Sequence, residues 1–170
     1  MHRRTGDDRG KYRKQFSHLD AALYVCLRYG RMPERARTTR PLILVADDNA
    51  DTREMYALYL NMVGYAIETA EDGHEAIVKA RTLRPDLIVM DLQMPKLDGW
   101  SAIRELQNRA ETAMIPILVL TGHDFKAFLK PAALAVGAAS FLMKPCFPEQ
   151  LAREVAARLV ASRNRSASAL

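Results

Sequence analysis

V-M-D-L-Q-M-P-K-L-D-G, Val89 to Gly99, is the stretch on which the fold turns. An apolar run, Leu87 to Met90, stops abruptly on a carboxylate, Asp91. A loop with Pro95 and Asp98-Gly99 follows, and an amphipathic pattern restarts at Trp100. This is the signature of a buried strand that delivers one acid to the carboxyl edge of a sheet. In open α/β sheets that edge collects ligands and chemistry. Asp91 is therefore the first candidate for a reactive group.

The same unit recurs on either side. Upstream, Leu42 to Ala46 is short and continuously apolar, as expected of a strand covered on both faces. It ends in Asp47-Asp48-Asn49. A helix follows, with Met55, Leu58, Tyr59, Met62 and Val63 expected on its buried face and Gly64 as its left-handed cap. Tyr65 to Thr69 reads as a strand near a sheet edge, because Glu68 marks one face. Asp72-Gly73 is a turn. Ile77, Ala80 and Leu83 mark a second helix that stops before Pro85.

Downstream, Trp100, Ile103 and Leu106 mark a third helix. Ile115 to Leu120 is a strand ending in Thr121-Gly122. Pro131 sits near the start of a short alanine-rich helix that Gly137 terminates. Ala138 to Met143 is the fifth strand, ending in Lys144-Pro145. Pro148 starts a last helix with Leu151, Val155 and Leu159 inward, and fraying is expected from Ser162. Five βα units in a row predict an α/β fold, a (βα)5 doubly wound five-stranded parallel sheet with helices on both faces.

Charge divides the chain. Residues 1–40 hold 11 Lys/Arg against 4 Asp/Glu, and the remainder holds 14 against 16. The expected organisation is a basic N-terminal extension over residues 1–40, an α/β domain over 41–162 and a flexible tail over 163–170. The extension is expected to be partly disordered, with a short helix over Ser17–Tyr29 carrying Leu19, Leu23 and Cys26. Met32, just ahead of the domain, is a second candidate start. The near-neutral body gives no reason to invoke nucleic acid, and the extension lacks the interleaved aromatics of a nucleic-acid surface. Two cysteines, Cys26 and Cys146, form no framework, which points to a reducing, cytoplasmic compartment. No apolar run nears the roughly 18 residues of a membrane span, and no signal peptide is visible.

The strand ends carry the chemistry. Alone, an Asp after a strand is usually a turn or cap residue, and a Lys is usually solvated. Here the fold converges Asp47, Asp48, Asp91, Thr121 and Lys144 on one side of one sheet. Three clustered carboxylates repel and call for a cation. All-oxygen donors suit Mg2+ or Mn2+ rather than zinc. Such a site fits an in-line phosphoryl transfer to Asp91, with Thr121 and Lys144 on the phosphoryl oxygens.

Four segments in order carry a resemblance: L-I-L-V-A-D-D-N (42–49), D-L-I-V-M-D-L-Q-M-P-K-L-D-G (86–99), I-L-V-L-T-G (117–122) and G-A-A-S-F-L-M-K-P (137–145). The body resembles a response-regulator receiver domain of two-component signalling, a flavodoxin-like fold. The resemblance implies that Asp91 is the phosphoacceptor. Asp48 would be a direct metal ligand, Asp47 would act through metal-bound water, and the Gln93 backbone carbonyl would complete the site. Thr121 and Lys144 match the switch hydroxyl and the phosphate-binding lysine, Phe141 the aromatic switch, and Lys144-Pro145 a bond that is usually cis. The implied phosphoryl donor is a histidine kinase or histidine phosphotransfer protein. With 26 residues after Lys144, no DNA-binding output domain is expected there, so the output would be contact with an unknown downstream protein. A homodimer is an arrangement the sequence leaves open.

The sequence departs from the family at Gly122, where alanine is common, and at Cys146 and Phe147, where phenylalanine and a small capping residue are common. The Gln93 side chain and His123 match positions that tune dephosphorylation in the family. Cys146 reads as a buried, inert thiol and Trp100 as a packing residue. Two other functions fit parts of the pattern. One is a Mg2+-dependent phosphohydrolase acting through an aspartyl phosphate, although D-D-N replaces the usual D-x-D and no cap insertion is present. The other is a binding module working through the basic extension.

Overall fold

Leu42–Ala46 forms β1 because a run of apolar residues can be buried only where its backbone polar groups are paired on both sides. The computed structural model describes residues 40–122 and 129–168. The basic extension with its expected helix over Ser17–Tyr29, and His123, lie outside the described residues. From β1 the chain runs through α1 (Ala50–Met62), β2 (Ala66–Ala70), α2 (Gly73–Leu83), β3 (Leu87–Met90), α3 (Gly99–Gln107), β4 (Ile117–Thr121), α4 (Leu129–Ala135), β5 (Ser140–Met143) and α5 (Pro148–Ser168). All neighbouring strands are parallel, in the order β2-β1-β3-β4-β5. The expected (βα)5 sheet is present, with β2 at an edge as Glu68 suggested.

Alternation along the strands splits the interior into two cores. Leu44, Ala46, Ile88, Met90, Ile117 and Val119 point to one face, where Ala76, Ile77 and Ala80 of α2, Ala102, Ile103 and Leu106 of α3 and Ala133 of α4 cover them. Ile43, Val45, Leu87, Val89, Leu118 and Leu120 point to the other, under Tyr56 and Leu60 of α1 and Leu151, Val155 and Leu159 of α5. Among the described residues no helix is long and apolar enough to cross a membrane.

Several local expectations need correction. The buried face of α1 is not the Met55–Leu58–Met62 stripe; Leu58 is 62% exposed and Met62 75% exposed, while Leu60 is fully buried. Tyr56 decides the rotation of the helix. Its hydroxyl donates to the carbonyl of Cys146 at 2.9 Å, a bond available only on the sheet side. Leu83 is also half exposed, since α2 ends there and Arg84 takes the left-handed conformation at φ 50°. β4 begins at Ile117, not Ile115: the Ile115 amide is spent on a turn to Thr112, and Pro116 offers only its carbonyl, to Ile88. β5 begins at Ser140, after the turn at Gly137, which has φ +102°. Finally, α5 does not end near Ser162 but continues to Ser168. Alanine and arginine in that segment are good helix formers, and they outweigh its serines.

The rotation of α1 gives a paired test. Leu60→Ala should cost about 2–5 kcal/mol in chemical denaturation, as a buried cavity does. Leu58→Ala should stay within about 0.5 kcal/mol of the wild type, as surface changes do. The opposite ranking would return the helix to the face expected from the sequence.

Candidate functional site

Parallel register places Ala46 opposite Met90, so the residues that follow them, Asp47 and Asp91, leave adjacent strands side by side. The chain crosses from β1 to β2 in one direction and on to β3 in the other, and the crevice opens where these directions diverge. Each acid is held at both ends. The Asp47 amide donates to Ala70 O at 3.1 Å and the Asp91 amide to Ala46 O at 2.9 Å. Asp47 Oδ1 accepts from the Asn49 amide at 3.0 Å, and Asp91 Oδ1 accepts from the Gln93 amide at 3.1 Å. Both residues are buried, and Asp48 is exposed.

Lys144 spans the two acids. Its Nζ lies 2.6 Å from Asp47 Oδ2 and 2.5 Å from Asp91 Oδ2. It follows β5, two strands away from β3, which is about 10 Å at the usual strand spacing. Only a long side chain bridges that gap. Burial pushes the Asp47 carboxyl above its ordinary value, against the hydrogen bond from Lys144. Burial works to lower the Lys144 ammonium as well, but its bonds to Asp47 and Asp91 outweigh it and hold Lys144 above the usual lysine range.

Oxygens of Asp47, Asp48 and Asp91 lie within 4.8 Å of one another. Three carboxylates without nitrogen or sulfur donors suit a small hard cation such as Mg2+ or Mn2+. A second observation fits an added ligand. Thr121 is fully buried, and among the described residues its Oγ1 has no hydrogen-bond partner, a costly state for a hydroxyl. Thr121 closes β4, between the strands that lead to Asp91 and to Lys144, and its carbonyl accepts from the Lys144 amide at 2.9 Å. The crevice thus brings together Asp47, Asp48, Asp91, Thr121 and Lys144, with Gln93 exposed on the β3–α3 loop. Phe141 stands apart from the acids. It is half-buried on β5 opposite Val119 and packs on the core under α2–α4. The Lys144-Pro145 bond is cis, as the resemblance implied.

Some supports of the crevice leave little trace in the sequence. Asn49 caps α1 by accepting from the Thr52 amide at 2.8 Å while its own amide holds Asp47. Arg53 reaches back from α1 to the Asp47 carbonyl at 2.6 Å. N-x-x-x-R after an acidic strand end is the one available signal. Tyr56 holds the Cys146 carbonyl just beyond the cis bond. The Cys146 thiol is buried, and that burial pushes it up, away from the reactive thiolate. Phe147 supplies no side-chain cap; its carbonyl accepts from Gln150 and Leu151 instead. Among the described residues, a Cβ added at Gly122 would meet only Lys144 side-chain carbons at 3.6 Å or beyond, so a methyl group fits beside them.

Sheet order, crevice and donor set define a doubly wound α/β domain with an acidic, lysine-bridged pocket at its switch point. The chain belongs to the response regulator receiver domain family, whose model matches residues 43–156. It is 43% identical over 124 residues to the alkaline phosphatase synthesis transcriptional regulatory protein PhoP of Bacillus subtilis, covering 73% of this chain and 49% of that protein. It is 39% identical over 117 residues to response regulator MprA of Mycolicibacterium vanbaalenii, covering 69% of this chain and 49% of that one. The chain therefore spans about half the length of these relatives. Among solved structures, the chemotaxis response regulator CheY4 of Vibrio cholerae matches with a TM-score of 0.65 and 35% identity over 71% of this chain and 99% of that one. A response regulator from Chloroflexus aurantiacus matches with a TM-score of 0.68 and 30% identity, covering 72% of this chain and 99% of that one.

Gly99 shows how tightly the loop closes under the acid. A Cβ there would lie 2.0 Å from the Asp91 carbonyl oxygen and 2.8 Å from Leu92 Cα, both backbone atoms that cannot swing aside. Gly99→Ala should therefore destabilise the domain by about 3 kcal/mol, as overpacking does. Gly122→Ala should stay within about 0.5 kcal/mol of the wild type. Thermal denaturation of the two variants checks both values.

Proposed function

We propose that this chain is a phosphoacceptor response regulator of a two-component or phosphorelay system, with Asp91 as the residue that takes the phosphoryl group. The observation that carries the reading is Lys144 Nζ held between Asp47 and Asp91 beside a buried Thr121 hydroxyl that has no partner among the described residues. Asp47, Asp48, Asp91 and the Gln93 carbonyl would hold a Mg2+ or Mn2+ ion, which would supply positive charge to the incoming phosphoryl oxygens. One Asp91 carboxylate oxygen attacks phosphorus, an O–P bond forms, and the bond from phosphorus to the donor breaks. The donor leaves with that electron pair, as a histidine imidazole that then takes a proton, or as acetate from acetyl phosphate.

Lys144 is already charged and within reach, so it needs only to shift from carboxylate to phosphoryl oxygen, with little reorganisation. Thr121, whose hydroxyl has no partner among the described residues, donates to a second phosphoryl oxygen. Thr121 shares a sheet face with Val119, against which Phe141 packs, so a move of Thr121 toward the crevice changes the space beside Phe141. That coupling supports a two-state switch biased by phosphorylation. The phosphoryl donor is a histidine kinase or histidine phosphotransfer protein, the output is contact with a downstream protein, and the setting is cytoplasmic. The chain turns over no separate substrate; its chemistry is its own phosphorylation and dephosphorylation.

Incubation with acetyl phosphate and Mg2+, followed by intact-mass measurement, tests the assignment. One hydroxylamine-labile phosphoryl group is expected on the wild type, and none on Asp91→Asn. A labelled Asp91→Asn protein would sink the assignment. Sustained release of phosphate from small esters, far beyond one equivalent, would instead make the chain a phosphohydrolase.

A further inference from the structure

The β3–α3 loop carries both Asp91 and Gln93, and its far side is fixed by a residue that belongs to no catalytic set. Lys96 sits in the left-handed region at φ 63°, which is uncommon for a residue with a side chain. Its Nζ donates to Asp72 Oδ2 at 2.7 Å. Asp72 lies after β2, the edge strand, and is almost fully buried although it stands outside the acidic crevice. Its other oxygen, Oδ1, caps α2 by accepting from the Glu75 amide at 2.9 Å. The Asp72 carboxyl is held below the usual carboxylate range, first by the hydrogen bond from Lys96 and then by that amide.

The contact continues along the backbone. The Gly73 amide donates to Leu97 O at 3.1 Å, and a Cβ on Gly73 would sit 2.4 Å from that same oxygen. The corner that receives the loop is braced in turn. The Glu71 amide donates to Glu75 at 2.8 Å, Glu75 pairs with Lys79 at 2.8 Å, and Lys79 donates to Thr69 O. Glu71 itself is a distant second partner for Lys96, at 3.6 Å and well exposed.

We infer that Lys96 is a positioning residue for the metal site, clasping the β3–α3 loop to Asp72 so that the Gln93 carbonyl and Asp91 stay in register with Asp47 and Asp48. The inference rests on the metal reading of the crevice given above. The left-handed backbone at Lys96 supports it, because a strained conformation persists only where its surroundings hold it. The two ends of the loop then have separate fasteners. Gly99 closes it under Asp91, and Lys96 with Leu97 closes it against Asp72 and Gly73 at the start of α2. Residues that orient the groups holding a metal commonly change its affinity by about tenfold or more.

The test is a MgCl2 titration followed through the fluorescence of Trp100, the only tryptophan. Lys96→Met and Asp72→Asn should each weaken Mg2+ binding about tenfold, and the double variant no further than either single, because both remove one contact. Asparagine keeps the helix cap, so Asp72→Asn leaves α2 intact. Glu71→Gln should bind Mg2+ as the wild type does. Lys96→Gly separates positioning from stability: it relieves the left-handed backbone, so the melting temperature should hold or rise while Mg2+ affinity still falls. Wild-type affinity in Lys96→Met, or losses that add in the double variant, would overturn the clasp. A wild type that shows no Mg2+ response at millimolar concentrations would overturn the metal reading, and the clasp with it.

Discussion

Two buried carboxylates on adjacent strand ends repel one another, and a cation between them offsets that repulsion. At an effective dielectric of about 20, oxygens about 5 Å apart repel by about 3 kcal/mol. In this chain the cation is Lys144, bonded to Asp47 and Asp91 together. Much of the surrounding structure serves that arrangement. β1 and β3 must be neighbours in register for the acids to meet, and β5 must lie within one lysine's length of them. The Tyr56 hydroxyl on the Cys146 carbonyl anchors the chain just after Lys144 leaves the sheet. An ammonium is also a stand-in that can be moved. A side chain bridging two acids can give way to a metal on the acids and a phosphoryl group on itself, and this is the physical basis for a switch.

The strands and the crevice are legible in the sequence because both follow from strong local rules. Continuous apolar runs such as Leu42–Ala46 and Leu87–Met90 have few ways to be buried, and polar residues at their ends must emerge on one edge. The face of α1 is not legible. Met55, Leu58 and Met62 form as good an apolar stripe as Tyr56 and Leu60, so periodicity does not choose between them. A single distant acceptor, the Cys146 carbonyl, does. The end of α5 is hidden for a different reason. Ser162 reads locally as a breaker, whereas helix propensity is a sum over many residues, and Ala161, Arg163 and Arg165 carry the helix past it.

Asp72 and Arg53 show a third limit. Asp72-Gly73 is readable as a turn, and the structure adds that the aspartate is buried, capping α2 and paired with Lys96 at once. Arg53 bonds a backbone carbonyl, a partner that leaves no mark in the residue pattern. Arg53 thus supports the crevice through the Asp47 backbone. Sequence rules locate the residues that do chemistry because these must be of particular types. Residues that only hold a loop in place are recognised by distance and burial.

The acidic crevice calls for a cation, a place that Lys144 fills between Asp47 and Asp91. The direct measurement is the thermal stability of Lys144→Met against the wild type across a MgCl2 series. The account predicts that the variant melts well below the wild type without Mg2+, and gains more from each addition, because its carboxylates are uncovered. Equal melting temperatures without Mg2+, with equal gains on adding it, would contradict the account.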